Sequence, residues 1–232
     1  IAYTGCGVRA SALAMDKVVS KLLFRHHGLP TPDWLDLASG ADSPADPGLG
    51  WPVFVKPASQ GSSVGMNRVD TPADLPAAVT AAREIEPRVL IEQCLPGPEF
   101  TVAVLGRRTL PSIRIDTPNR FYDYDAKYEA TTTEYTCPAL SGAAEQALQR
   151  LALAAFDTLG CEGWGRVDFM VDSSGEPSVI EVNTVPGMTD HSLVPMAAAT
   201  DGIDFPTLCV AILDTVPAHR QTASRLEGTY GR

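Results

Sequence analysis

Residues 163–183 constrain the fold more than any other stretch of this 232-residue chain. GWGRVDFMV and PSVIEVN alternate polar and apolar positions around a Ser-Ser-Gly turn, the mark of an antiparallel hairpin. With the turn centred on Ser174 and Gly175, Asp172 lies opposite Pro177, Asp168 opposite Glu181 and Arg166 opposite Asn183. Strand alternation then sets Arg166, Asp168, Glu181 and Asn183 on one face and Val167, Phe169, Ile180 and Val182 on the other. Two carboxylates directly opposite repel each other, so a positive group is expected between them. Oxygen donors with no cysteine or histidine beside them suit a hard cation, magnesium before zinc. The alternatives are that Arg166 neutralises the pair unaided, or that the face is simply solvated.

The rest of the chain reads as α+β in two lobes, antiparallel hairpins with helices laid on them. Leu13, Val18, Leu22 and Leu23 recur at helical spacing over 11–27, and Gly28 and Pro30 stop that helix. A strand over 51–56 ends at Pro57 and runs into a Gly/Ser loop. Asp70 or Thr71 caps a helix from Pro72 to about Glu86. Strands follow at 89–92, 99–105 and 109–115, then a stretch over 116–138 without a core pattern, which marks a functional or disordered loop. Helices are expected over 142–159, 192–199 and 205–216. The boundaries are 1–92 for the first lobe, 93–217 for the second, with Leu95-Pro96-Gly97-Pro98 as linker, and 218–232 as a fraying tail.

Lysine plus arginine number 18 against 28 acids, a net charge of −10, which argues against nucleic acid or an anionic membrane as partner. A local basic pocket for a small polyanion remains open. Lys56 ends its strand just before Gly61, Ser62, Ser63 and Gly65, whose N–H groups and hydroxyls can cradle phosphate oxygens. Lys17 and Lys127 are further candidates. No GxxxxGK[ST] is present, so this is not a P-loop. Gly187, in NTVPGMT, can bring a backbone N–H close to a reacting oxygen, or belong to an ordinary turn. No GxSxG elbow supports a serine nucleophile beside His191. No apolar run reaches the roughly 20 residues of a membrane span. Five cysteines without a CxxC pair suit a reduced, cytoplasmic setting.

The stretches YTGCGVRASALAMDK, PVFVKPASQGSSVGM, VLIEQCLPGPEFTVAVLG, FYDYDAKY, LGCEGWGRVDFM and IEVNTVPGMTDHSLVPMAA occur in order from residue 3 to 198. Together they resemble the ATP-grasp superfamily and, within it, the D-alanine–D-alanine ligase family. The resemblance implies two lobes of antiparallel sheet with ATP between them. Lys17 and Lys56 would bind its phosphates under a lid containing Ser63, with Glu92 and Glu99 at the adenine and ribose end. Asp168, Glu181 and Asn183 would ligate two magnesium ions, or manganese in their place. Lys127 would reach the γ-phosphate. Arg166 and the N–H of Gly187 would stabilise an oxyanion, and Ser192 with the N–H of Leu193 would take the carboxylate of a second D-alanine. Tyr128 and Ser62 would close a loop over the first.

The implied reaction joins two D-alanines through an acyl phosphate for peptidoglycan precursors; a homodimer is compatible with it. Another carboxylate–amine ligase and a nucleotide-binding fragment are the alternatives. Gln60 stands where the family pattern commonly has glutamate. The family also carries an N-terminal lobe whose glutamate holds the first D-alanine's amine; this sequence begins after that lobe, which is either cut away or lost. Residues 1–232 alone are therefore expected to bind nucleotide without efficient dipeptide synthesis.

Overall fold

The computed structural model describes residues 2–117, 133–189 and 191–216. Two antiparallel sheets organise them. The first has the order β1-β4-β2-β3, from β1 (Trp34–Leu37), β2 (Val53–Pro57), β3 (Asn67–Val69) and β4 (Val89–Gln93). The second has the order β10-β9-β5-β7-β8, from β5 (Glu99–Leu105), β7 (Ile113–Asp116), β8 (Glu134–Thr136), β9 (Trp164–Val171) and β10 (Pro177–Asn183), with β6 (Arg108–Thr109) on the far end of β5. The chain passes from one sheet to the other through Cys94-Leu95-Pro96-Gly97-Pro98.

Helix α3 (Leu75–Ile85) covers the first sheet, burying Leu75, Val79 and Ala82 against Val53, Val55, Val89 and Ile91. The second sheet is covered on one face by α4 (Gly142–Thr158), whose Phe156 and Ala155 meet Phe100, Val102, Val167, Phe169, Val179 and Val182. Ala10 of α1 (Val8–Met15) and Phe24 of α2 (Lys17–His26) join that same core, so the first helices pack onto the second sheet although they precede the first in sequence. On the opposite face, α5 (Leu193–Thr200) and α6 (Phe205–Asp214) cover only the end of the sheet that carries Ala103 and Trp164. The remainder of that face is left to a cleft. Among the described residues no single helix is long and apolar enough to cross a membrane.

Several expectations are corrected. The single helix over 11–27 is two helices. Asp16 adopts an extended conformation, ends α1, and accepts a hydrogen bond from the N–H of Val19 at 3.0 Å, the ordinary reason aspartate is favoured at a helix start. Leu22, placed in the apolar stripe, is 54% exposed, whereas Lys21 is fully buried. Strand 109–115 is interrupted over 110–112, and β8 falls inside the stretch read as loop.

The last hairpin is corrected in register. Asp168 pairs with Glu181 and Arg166 with Asn183 as expected, but Pro177 pairs with Val171 instead of Asp172, because β10 carries a bulge between Val179 and Glu181. A bulge inserts one residue and flips the alternation beyond it. Val179 therefore enters the core, and Ile180, expected there, turns to the cleft beside Glu181.

Candidate functional site

The cleft between the sheets encloses a cavity of about 510 Å³, within the range of small-molecule sites. Lys56, Ser62, Ser63 and Glu92 line it from the first sheet and its loop, Lys17 from the start of α2, and Glu99, Asp168 and Glu181 from the second sheet. Its apolar surface comes from Phe54, Val64, Met66, Leu95, Met170 and Ile180, groups that suit the faces of a planar ring.

On the first wall, Lys56 follows Val55 in β2 and is buried because its strand is central. Its ammonium meets Glu92 Oε2 at 2.5 Å, and Lys21 meets Glu92 Oε1 at 2.7 Å. Burial pushes the Glu92 carboxyl up, but Lys21 and Lys56 outweigh it and hold it at about 2. Both carboxylate oxygens of Glu92 thus face lysines. Lys17 starts α2 and donates to the carbonyl of Gln60, while its own N–H donates to the carbonyl of Ala58 at 3.0 Å. Burial draws the Lys17 ammonium below its ordinary pKa, against the pull of Glu181. A cation that burial disfavours is set to receive an anion.

The loop between β2 and β3 bends through Ser62 and Ser63, both left-handed at φ 53° and 58°. Non-glycine residues in this region cost about 1–2 kcal/mol each, and such strain gathers at ligand clamps. The turn is held by Val64 N–H to Gly61 O and Met66 N–H to Ser63 O, both 3.1 Å.

On the second wall, Asp168 is the hub. Its Oδ1 accepts from Thr101 Oγ1 at 2.6 Å and Arg166 Nε at 2.8 Å; its Oδ2 accepts from Arg166 Nη2 and Asn183 Nδ2, each at 2.8 Å. Burial opposes the Arg166 charge, but Asp168 first, then Glu181 and Glu99, hold the guanidinium protonated well above its ordinary range. The repulsion foreseen between Asp168 and Glu181 is thus relieved by Arg166 on the Asp168 side. Among the described residues no group of three or more His, Cys, Asp and Glu is placed to hold a metal ion; Asp168, Glu181 and Asn183 offer two carboxylates and one amide oxygen.

Beyond Asn183 the chain turns through Gly187 to the start of α5. Ser192 Oγ accepts from Thr189 N–H at 2.9 Å, and a Cβ at Gly187 would approach that Oγ to 2.8 Å. Glycine is what lets the two meet. Leu193 opens α5, so its N–H is among those the helix leaves unpaired. Lys127 and Tyr128 lie outside the described residues.

Sequence reading missed Lys21, Thr101 and the apolar walls. Lys21 follows Lys17 by four residues, one helical turn, so both lie on one face; that spacing was the signal. Thr101 follows Glu99 by two and shares its face, but its pairing with Asp168 requires knowing that β5 lies beside β9.

A family model described as the C-terminus of D-ala D-ala ligase matches residues 23–214. The D-alanine–D-alanine ligase of Alcanivorax borkumensis is 54% identical over 214 residues, 92% of this chain and 68% of that protein. That of Stutzerimonas stutzeri is 53% identical over 216 residues, covering 92% and 69%. The crystal structure of D-alanine–D-alanine ligase from Bacillus anthracis superposes with a TM-score of 0.85 at 36% identity, over 96% of this chain and 74% of that one. Its complex with ATP gives 0.83 at 32% identity, over 96% and 72%. The chain therefore belongs to the D-alanine–D-alanine ligase family, with the ATP-grasp fold.

Proposed function

We infer that the chain is an ATP-dependent ligase that joins two D-alanines into the dipeptide used in peptidoglycan synthesis. The observation that carries this is the order of groups along β9 and β10. Next to the connector lie Met170 and Ile180; one step along come Asp168 and Glu181; then Arg166 and Asn183; then the turn of Gly187 and the start of α5. Apolar walls, oxygen donors, a guanidinium and a helix N-terminus follow one another. A nucleotide base, its phosphates, a reacting carbonyl and an acceptor carboxylate need these groups in that sequence.

In this reading Lys17 and Lys56 hold the phosphates against the Ser62–Ser63 turn, and Glu99 lies at the ribose end. Glu92 lines the adenine side while its carboxylate fixes Lys56. The Asp168, Glu181 and Asn183 oxygens fit a hard cation; magnesium, or manganese in its place, would neutralise charge on the transferring phosphoryl group. The carboxylate of the first D-alanine attacks the γ-phosphorus, releasing ADP and leaving an acyl phosphate. The amine of the second attacks that carbonyl, and phosphate departs. Arg166 and the Gly187 N–H face the developing oxyanion, while Ser192 and the Leu193 N–H orient the acceptor carboxylate. Lys127 would meet the γ-phosphate and Tyr128, with Ser62, the first D-alanine; water must be kept from the acyl phosphate for the amine to capture it. Cytoplasmic D-alanine and ATP are the substrates.

The test is D-alanine-dependent phosphate release from ATP, with the dipeptide identified by mass spectrometry. Phosphate and dipeptide in equal amounts support the reading. In the chain joined to the lobe that holds the first D-alanine's amine, ATP hydrolysis without dipeptide, or dipeptide formed only with another acceptor, overturns it.

A further inference from the structure

Lys21 is the bulkiest fully buried side chain among the described residues, and the binding roles above do not use it. A buried ammonium must place its three N–H groups. Lys21 donates to Thr31 Oγ1 at 2.7 Å and the Pro32 carbonyl at 2.9 Å, and its ammonium forms an ion pair with Glu92 Oε1 at 2.7 Å. The other oxygen of Glu92 holds Lys56. The Thr31 hydroxyl, having accepted from Lys21, donates onward to the Val179 carbonyl at 2.8 Å, and the Val179 N–H donates to the Pro30 carbonyl at 2.8 Å. Val179 is where the register of β10 shifts, directly before Ile180 and Glu181. An unbroken chain of polar contacts therefore runs Lys56–Glu92–Lys21–Thr31–Val179, from the phosphate-side lysine of the first sheet to the bulge that aims Glu181 from the second.

We propose that Lys21 and Thr31 are positioning residues of the nucleotide site, a latch that sets the Lys56 ammonium of one wall at a fixed place relative to the Glu181 carboxylate of the other. The proposal rests on the reading that the cleft binds nucleotide with a divalent cation. Charge gives the latch its first consequence. Glu92 alone would cancel Lys56; with Lys21 the trio carries a net +1, and Lys56 keeps charge for an anion. Geometry gives the second. A cation held by carboxylates on one wall meets a polyphosphate held by lysines on the other only when the walls stand at a set separation. The Thr31 hydroxyl, beside the Pro30 carbonyl, carries that crossing.

The experiment is calorimetric titration of the intact protein with ADP, with and without magnesium, for wild type, Thr31→Val, Thr31→Ser and Lys21→Met, each well below its unfolding temperature. Valine keeps the shape of threonine without the hydroxyl; serine keeps the hydroxyl. The gain in affinity conferred by magnesium, the ratio of the two Kd values, is expected to fall about tenfold in Thr31→Val and Lys21→Met and to be retained in Thr31→Ser. A merely structural role would weaken binding equally with and without the metal and leave the ratio intact; that result overturns the latch. Thr31→Val decides the matter if Lys21→Met does not fold. Wild-type protein without magnesium-dependent ADP binding overturns the nucleotide reading and the latch together, whereas wild-type binding with an unchanged ratio in Thr31→Val sinks the latch alone.

Discussion

Replacing Glu92 with glutamine removes the one anion between two buried lysines. Glu92 is 2% exposed and Lys21 0%, so solvent does little to screen the loss. The carboxyl is held at about 2 against an ordinary 4.5, burial pushing it up and the two lysines overriding burial. At 1.36 kcal/mol per pKa unit this drop corresponds to about 3 kcal/mol of stability. Breaking a buried ion pair from one side costs about 3–5 kcal/mol by experience with other proteins, so the two routes agree. Because the folded value is the depressed one, the stabilisation is complete above about 4.5 and drains away as pH falls toward 2. Glu92→Gln should therefore be about 3–5 kcal/mol less stable than wild type at pH 7. With a urea slope of roughly 2 kcal/mol/M, its midpoint should lie about 1.5–2.5 M lower. Between pH 5 and 3.5 the gap should narrow by about 1 kcal/mol, since only the wild type gains a proton at this site. Urea unfolding at pH 7, 5 and 3.5 measures all three. A loss under about 1 kcal/mol at pH 7, or a gap that stays constant on acidification, refutes the argument that this carboxylate is held by both lysines.

Three further outcomes are expected. Burial lowers the pKa of Lys17 and a bound polyphosphate would raise it again, so nucleotide binding should take up more protons, and weaken, as pH climbs from neutrality toward 10.5; calorimetry in buffers of different ionisation heat should show greater uptake at pH 9 than at pH 7, and Lys17→Met should abolish the difference. Glu181→Gln should slow ligation at least ~100-fold, about 2.7 kcal/mol, yet shift metal-free stability by no more than about 0.5 kcal/mol, because Arg166 already satisfies Asp168; substantial residual turnover would count against the metal assignment. Gly187→Ala places a Cβ 2.8 Å from Ser192 Oγ, so the KM for the acceptor D-alanine should rise severalfold with ATP affinity unchanged, and a rise in both would assign the turn to the nucleotide.

The legible part of the molecule is the part written in short periods. Strands 89–93 and 99–105, helices 142–158 and 193–200 and the pairing of Asp168 with Glu181 follow from alternation, helical spacing and turn residues within one or two residues of their observed ends. The break at Asp16 was less legible, because a run of apolar residues at helical spacing hides the competing tendency of one aspartate to cap. The interruption over 110–112 and the position of β8 depend on which strand lies beside which, a property of the assembled sheet.

The bulge shows why a correct pairing can coexist with a wrong face. Counting from the turn puts Asp172 opposite Pro177 and carries strict alternation down the strand, so Ile180 falls on the core side. The β10 strand starts one residue out of that register and regains it by inserting Ile180 between Val179 and Glu181. What stabilises the insertion lies 148 positions away in sequence at its nearest: the Pro30 carbonyl accepts from the Val179 N–H, and the Thr31 hydroxyl donates to the Val179 carbonyl. No local pattern in PSVIEVN reports those partners. The insertion also does something that alternation forbids. It presents two consecutive side chains, one apolar and one acidic, to the same cavity, so a single strand can form part of a ring-binding wall and a cation-binding wall side by side. Neighbouring β9 needs two residues of rise to do the same with Met170 and Asp168. The residues that make this possible, Pro30 and Thr31, carry no chemistry-bearing signature of their own, which is why the sequence offers Pro30 only as a helix stop and gives no sign of Thr31.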